Sequence, residues 1–298
     1  MRSLVKARSC PSAFALSIAC IVATALSGGL AEARSIAEIN QSGEVRICLV
    51  PVEDFTVEPK QCRENCKFGG DIYDMAVAFS QSLGVKARIL RVEWDEQFFN
   101  KDGKTVREGS YTPELMDSGK CDAYLTGLTI LPWRETKLAF VTLYPTRMVV
   151  VVNKSARAGF KTPADLCAKS AATVKDTSWH TWLQAQNATT CAANPIRIKL
   201  LGFEESSQAV DSGAVDFTIV NFDNTLVLSN PYKNSVMAFP IASVVEQGWA
   251  FRKEDRDLQA AAHKFLEKQK SAADSLWNTQ WRKAFGMTLP EYTRRVPQ

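Results

Sequence analysis

The chain has 298 residues, with 36 lysines and arginines against 32 aspartates and glutamates and a formal net charge of +4. That near-balance leaves no basic stripe for nucleic acid, and 46% hydrophobic residues is an ordinary globular share. The length allows one large domain or two smaller ones.

Arg2, Lys6 and Arg8 open the chain, and an apolar stretch follows from about Ala13 to Leu26. Ala31-Glu32-Ala33 then supplies the small-x-small pattern of a cleavage site. Together they predict a secretory signal peptide over residues 1–33 and export to the periplasm, with a mature chain starting near Arg34. The apolar run is short for a membrane span. Ser17 also fits poorly three residues ahead of Cys20, which argues against a lipoprotein. No later apolar run is long enough to cross a membrane.

Strands and helices then alternate. Glu44–Val50 reads as a strand. Asp71–Leu83 reads as a helix, with Ile72, Met75, Phe79 and Leu83 on one face and Gly84 after it. Lys86–Val92 is the next strand. Thr112-Pro113 starts a short helix to Ser118, Pro being suited to the first helical position. Cys121–Thr126 and the long apolar Arg147–Asn153 read as strands, and Thr162-Pro163 repeats the helix-start signal. Strands at Ala171–Val174, Ile196–Leu200, Val215–Val220 and Val236–Phe239 alternate with helices at Ser178–Gln186, Glu204–Ser212 and about Asp223–Ser229. The end is helical from about Arg256 to Phe285. This order predicts an α/β fold with mainly parallel sheets.

Six cysteines lie beyond the leader: Cys48, Cys62, Cys66, Cys121, Cys167 and Cys191. An even count in an exported chain predicts disulfides. Cys62 and Cys66 read either as a local staple or as partners of Cys48 and Cys121. Their C-x3-C spacing has no histidine nearby, so a metal site is not indicated. There is no haem-attachment signal either, and no cofactor is expected.

One internal echo stands out. Residues 116–127 read MDSGKCDAYLTG and residues 210–221 read VDSGAVDFTIVN. Each is a helix end, Asp-Ser-Gly, two residues, an Asp and an apolar strand, with Gly119 and Gly213 placed as helix caps. The echo reads either as shared turn chemistry or as two similar lobes. In open α/β sheets ligands bind beyond the carboxyl ends of strands. Two facing lobes would therefore bring Thr126–Thr129 and Asn221–Asp223 to one cleft.

The segments VRICLV, GGDIYDMAVAFSQSLGV, LMDSGKCDAYLTGLTILPWRETKLAFVTLYPTRMVVVV, TPADL, SGAVDFTIVN and GWAFRKEDRDLQAAAHKFLEKQK resemble the type II periplasmic solute-binding proteins, in the amino-acid-binding branch that serves ABC transporters. The resemblance implies a two-lobe periplasmic-binding-protein fold, each lobe a mainly parallel sheet flanked by helices, joined by a two-crossover hinge. Lobe one would be 34–146 plus 249–298 and lobe two 147–248, crossing near Tyr144–Met148 and Glu246–Gly248. Cys167 and Cys191 then share a lobe, which is the reason to pair them.

By the same resemblance, Arg134 grips a ligand carboxylate, for which its planar fork of donors is suited. Gly127 lets backbone approach the ligand and Thr129 offers a hydroxyl. Thr177 and Ser178, between a strand and a helix, match the hydroxyls of the second jaw, where free helix N-terminal amides favour an anion. Simple helix capping is the other reading of that pair. Asp176 stands where the family has glycine.

Asn221 stands where the family has an aspartate for the α-ammonium. Either Asp223 replaces it, or Glu53 or Asp54 reaches in, or the ligand is not an ordinary α-amino acid. Phe55 is placed to stack on the ligand. The stretch Phe98–Tyr111 has no clear place in the family pattern.

The resemblance implies a small carboxylate solute, a membrane ABC permease and a monomer as the working unit. No catalytic motif is present. Two other roles use this fold: a periplasmic dehydratase of prephenate-like acids, with Glu53, Asp54 or Asp223 as general acid, and an accessory or sensor protein beside a quinoprotein dehydrogenase. Lytic murein transglycosylases carry the module too, ahead of a catalytic half for which a chain ending at Gln298 has no room.

Overall fold

The computed structural model describes residues 34–51, 55–104, 111–228 and 231–298. All of them fall within one compact unit, Ala31–Gln298. Glu53 and Asp54 lie outside the described residues, as do the 1–33 leader and residues 105–110 of the Phe98–Tyr111 stretch.

In chain order the strands are β1 (Glu44–Leu49), β2 (Thr56–Glu58), β3 (Lys67–Gly69), β4 (Lys86–Arg91), β5 (Ala123–Thr129) and β6 (Leu138–Thr146). They continue as β7 (Met148–Asn153), β8 (Ser170–Thr173), β9 (Arg197–Leu200), β10 (Phe217–Asn221), β11 (Ser235–Pro240) and β12 (Val245–Arg252). One five-stranded sheet runs β4-β1-β5-β12-β6, and a second runs β11-β7-β10-β8-β9. Strands β2 and β3 form a small antiparallel hairpin. Read outward from its parallel edge, each sheet has the same plan: two outer strands, the strand that follows the echoed turn, then two antiparallel strands.

The sheets are mainly parallel, as expected: four of the five strands in each run the same way, and one, β12 in the first and β7 in the second, runs against them. Strand β1 pairs in parallel with β4 and β5, while β12 runs antiparallel to β5 and β6. In the second sheet β8 pairs in parallel with β9 and β10, while β7 runs antiparallel to β10 and β11. The antiparallel half of each sheet holds the strands that come from or go to the other lobe.

The chain crosses between sheets twice. Arg147 separates β6 from β7, and residues 241–244 separate β11 from β12. The second crossing therefore comes before Glu246–Gly248, because Val245 already pairs with Thr146 in the first sheet. The crossings are tied together by Arg147 Nε, which donates to the Ala242 carbonyl at 2.8 Å.

The echo has a physical cause. After each Asp-Ser-Gly turn an aspartate side chain accepts from a backbone N–H in the first half of the neighbouring parallel strand. Asp122 Oδ2 takes Arg46 N at 2.8 Å, and Asp216 Oδ2 takes Ser170 N at 2.7 Å. Each aspartate's own N–H donates back to the same residue's carbonyl, at 2.7 and 3.0 Å. Gly119 and Gly213 hold the left-handed turn before it, with φ of 69° and 76°, a region that costs any residue with a Cβ.

The core of the first lobe sits between its sheet and helices Asp71–Ser82, Arg256–Ser271 and Leu276–Phe285. Met75, Ala76 and Phe79 are the buried apolar residues of Asp71–Ser82, at the predicted helical spacing. Phe79 is fully buried, its ring 5.5 Å from Trp249 and 5.6 Å from Phe265; burial of such a side chain contributes about 2–3 kcal/mol. The predicted C-terminal helix is interrupted at 272–275, where Ser275 caps a new helix by accepting from Asn278 N. Disulfides join Cys48 to Cys121, Cys62 to Cys66 and Cys167 to Cys191. No helix among the described residues is long and apolar enough to cross a membrane.

Candidate functional site

Residues at the carboxyl ends of β5 and β10 line a common cleft of about 1180 Å³. Lobe one contributes an apolar floor that includes Met75, Leu125, Leu143, Trp249 and Trp281, rimmed by the polar and charged Asp71, Arg91, Glu93, Thr126 and Gln247. Lobe two contributes donors and acceptors: Thr177, Ser178 and Trp179 at the start of helix Ser178–Ala188, and Asn221 at the end of β10.

Of the residues singled out in the sequence, Phe55, Gly127, Thr129, Thr177, Ser178, Asn221 and Asp223 all line this cleft. Thr129 is nearly buried, and its hydroxyl accepts from Gln247 Nε2 at 3.1 Å. A Cβ on Gly127 would meet Leu143 Cδ1 at 3.4 Å, an ordinary contact, so its backbone does not require glycine. Thr177 is a helix cap: its hydroxyl accepts from His180 N at 3.3 Å and donates to the Val174 carbonyl at 2.8 Å. Asp176 keeps a glycine-like backbone, with φ of 62°, which a short polar side chain tolerates.

Arg134 is not on the cleft surface. It is 1% exposed and sits one layer behind the wall, where Nη1 donates to the Thr129 carbonyl at 2.7 Å. Its guanidinium carbon lies 5.7, 5.0 and 5.1 Å from the ring centroids of Trp94, Phe98 and Trp133. A desolvated cation among aromatic faces is held by their quadrupoles. The same cluster gives the ends of the unplaced Phe98–Tyr111 stretch a role. Phe98 and Tyr111 are buried there, and the Tyr111 hydroxyl donates to the Arg134 carbonyl at 2.5 Å.

Trp94 closes that cluster on the cleft side and also reaches across the cleft. Its Nε1 donates to the Asp176 carbonyl at 3.1 Å, a direct bond between the lobes at the cleft mouth. Arg91, just before it, also lines the cleft and pairs with Glu93 at 2.6 Å. Neither residue figures in the sequence reading. The signal was present as an aromatic and a cation just beyond the end of a strand.

Asn221 is 8% exposed, and its Oδ1 accepts from Trp179 Nε1 at 3.0 Å. Its backbone N–H donates to Asn224 Oδ1 at 3.1 Å. Asp223, two residues on, turns toward the hinge. Thr146 Oγ1 donates to its Oδ1 at 2.5 Å, and the Tyr144 hydroxyl lies 3.5 Å from Oδ2. Burial pushes the Asp223 carboxyl above the usual carboxylate range, against the opposing pull of the Thr146 hydroxyl. No group of three or more metal-ligating side chains occurs among the described residues.

The sequence profile of the bacterial extracellular solute-binding proteins, family 3, matches residues 109–275, more than half of the chain. The chain belongs to that family. Solved structures agree on the fold. The P235GK mutant of ArgBP from T. maritima superposes with a TM-score of 0.64 at 22% identity, covering 84% of this chain and 99% of that one. The ancestral amino acid-binding protein AncCDT-1, a precursor of cyclohexadienyl dehydratase, gives 0.64 at 22%, covering 84% and 98%. AbpA from Streptococcus pneumoniae, bound to L-arginine, gives 0.64 at 19%, covering 85% and 99%.

By sequence, the chain is 25% identical over 199 residues to membrane-bound lytic murein transglycosylase F of Desulfosudis oleivorans, covering 66% of this chain and 40% of that protein. The same-named protein of Alcanivorax borkumensis is 23% identical over 205 residues, covering 68% and 41%. This chain thus spans about 40% of the length of these relatives. Membership of family 3 supports a solute-binding role for the cleft.

Proposed function

We propose that this chain is an exported solute-binding protein whose two lobes close on a small carboxylate-bearing solute and deliver it, as a monomer, to a membrane ABC permease. The observation that carries the reading is the cleft itself. Lobe one offers an apolar floor, and lobe two offers the first turn of an eleven-residue helix together with Ser178 and Asn221. Free amides at a helix start favour an anion. The lobe boundaries follow the two crossings, 34–146 with the C-terminal segment against 147–240, and residues 1–33 serve as the export signal.

In this reading Arg134 supplies the positive charge for the carboxylate. Trp94 lies against its guanidinium and also holds the cleft mouth through Asp176. Ligand entry therefore exchanges the Trp94 contact for a charge-assisted one of about 1.5–3 kcal/mol. A micromolar affinity needs roughly −8 kcal/mol in all, so a few such contacts and the apolar floor are sufficient. A thermal-shift screen with amino acids, dicarboxylates and prephenate-like acids tests it. A ligand that raises Tm and is recovered unchanged supports binding; turnover would replace this reading with an enzymatic one.

One observation favours that second reading. Asp223 lines the cleft with a carboxyl whose proton is retained above the usual range, as a general acid requires. Its nearest donor, Thr146, faces the hinge, which makes binding the better-supported function.

A further inference from the structure

The side of the cleft opposite the lobe-one floor ends in an atom whose identity is fixed by chemistry. An indole Nε1–H can only donate. The Asn221 atom 3.0 Å from Trp179 Nε1 must therefore be the amide oxygen. The amide is thereby oriented: Trp179 occupies one of the two lone pairs of Oδ1, and the other polar group of the side chain is Nδ2, which can only donate. Among the described residues Nδ2 makes no hydrogen bond of its own, and the backbone N–H of Asn221 is already taken by Asn224. The adjacent carboxyl on the same segment, Asp223, has the Thr146 hydroxyl on one oxygen and the Tyr144 hydroxyl near the other.

We infer that Trp179 and Asn221 together set the ligand class: an acid that presents an oxygen acceptor to Asn221 Nδ2, as a hydroxyl, carbonyl or second carboxylate does, in place of an α-ammonium. The inference rests on the solute-binding reading and narrows it. An ammonium group set against Nδ2 would oppose donor to donor in a closed cleft, and both groups would lose their water without compensation. An acceptor oxygen there is matched. Sites built to hydrogen-bond one polar group reject an analogue that lacks the complement by a factor of about a hundred or more. An ancestral arginine-binding protein that shares this fold was solved bound to arginine and bound to glutamine. The apolar floor of lobe one, with Met75, Leu143 and Trp249, suits a carbon skeleton of some size beside that polar end.

The test is calorimetric titration of the full mature chain with acids matched in skeleton. Suitable sets are glutamate with 2-hydroxyglutarate and 2-oxoglutarate, and phenylalanine with phenyllactate and phenylpyruvate. The oxygen-bearing members should bind at least about tenfold tighter than their amino twins. Asn221→Asp should close that gap or reverse it, since the second carboxylate oxygen then faces the cleft. Trp179→Phe removes the donor that orients the amide, frees Oδ1 to turn inward, and should cut the discrimination at least threefold. An amino twin that binds the wild type as tightly as its oxygen partner overturns the inference and leaves the solute-binding reading standing. Silence from every acid, in wild type and Asn221→Asp alike, overturns both. Discrimination unchanged in Trp179→Phe, with the fold intact by circular dichroism, overturns the role given to Trp179.

Discussion

The two lobes use one scaffold for two different jobs. Each places an aspartate after a glycine turn, ties it to the backbone of the neighbouring parallel strand, and sends the following strand to the cleft. Around those shared parts the surroundings diverge. Asp122 is fully buried, ion-paired to Arg34 and Arg46, with Arg252 at 3.5 Å. Asp216 is only half-buried and bonds Ser170 alone, through its N–H and hydroxyl at 2.7 Å each. The strand ends diverge likewise: β5 leads to an apolar floor with a buried cation behind it, β10 to an amide and a carboxyl. The backbone device belongs to the fold, and ligand recognition belongs to what each lobe packs around it.

The largest effects should come from the first of these differences. Asp122→Ala leaves buried guanidinium groups without their counter-charge and should cost about 3–5 kcal/mol, read as the midpoint of urea unfolding. Asp216→Ala should cost about 1–2 kcal/mol. Equal losses would break the comparison.

The pH dependence sharpens it. Burial would raise the Asp122 carboxyl, but the Arg34 hydrogen bond and the Arg46 N–H hold it below the usual value. The Ser170 hydroxyl and N–H do the same for Asp216, again against burial. Both contribute stability that is present above the unfolded pKa and is lost as pH falls through the lowered one. Asp255, beside Arg252, has the opposite sign. Burial raises its carboxyl to about 6, against the pull of Arg252. Its contribution is complete below the unfolded value of 3.8 and is lost as pH rises through about 6. The loss is up to about 3 kcal/mol at 1.36 kcal/mol per pKa unit. Asp255→Asn should therefore flatten the stability profile between pH 4 and 6 and leave the acid limb in place.

Smaller effects test where the lobes are alike. Gly119→Ala and Gly213→Ala should each cost about 1 kcal/mol, because both hold the same left-handed turn. A twofold or larger difference in their unfolding midpoints would show that the echo is not one device. Thr177→Ala should also cost about 1 kcal/mol through the lost cap, while Gly127→Ala should be near neutral, its Cβ meeting only Leu143 at contact distance.

Much of this was legible in the sequence. The alternation of strands and helices, the two-lobe plan and the Cys167–Cys191 pair follow from periodicity, turn residues and the family pattern. The hairpin β2–β3 escaped because three-residue strands carry almost no period. Strand β12 escaped as a named element because a buried strand loses the polar alternation that marks one, and the edge strand β6 escaped because its buried and half-exposed residues do not alternate. Some of the cleft residues were named from the family pattern and from their places beyond strand ends, while Asp71, Arg91, Trp94 and Gln247 were not. What sequence could not supply was depth and orientation: that Arg134 lies one layer behind Thr129, that Thr177 is committed to capping, and that an indole from the next turn fixes the Asn221 amide. Each depends on side-chain contacts between residues 3 to 42 positions apart.

The central claim is that both strand ends serve one ligand, with the buried Arg134 holding its anionic end. Calorimetric titration of Arg134→Gln, checked for native circular dichroism, with the acid that most raises the wild-type Tm tests it most directly. The account predicts affinity reduced about ten- to a hundredfold, the range of a lost charge-assisted contact. Binding within about threefold of wild type would contradict it.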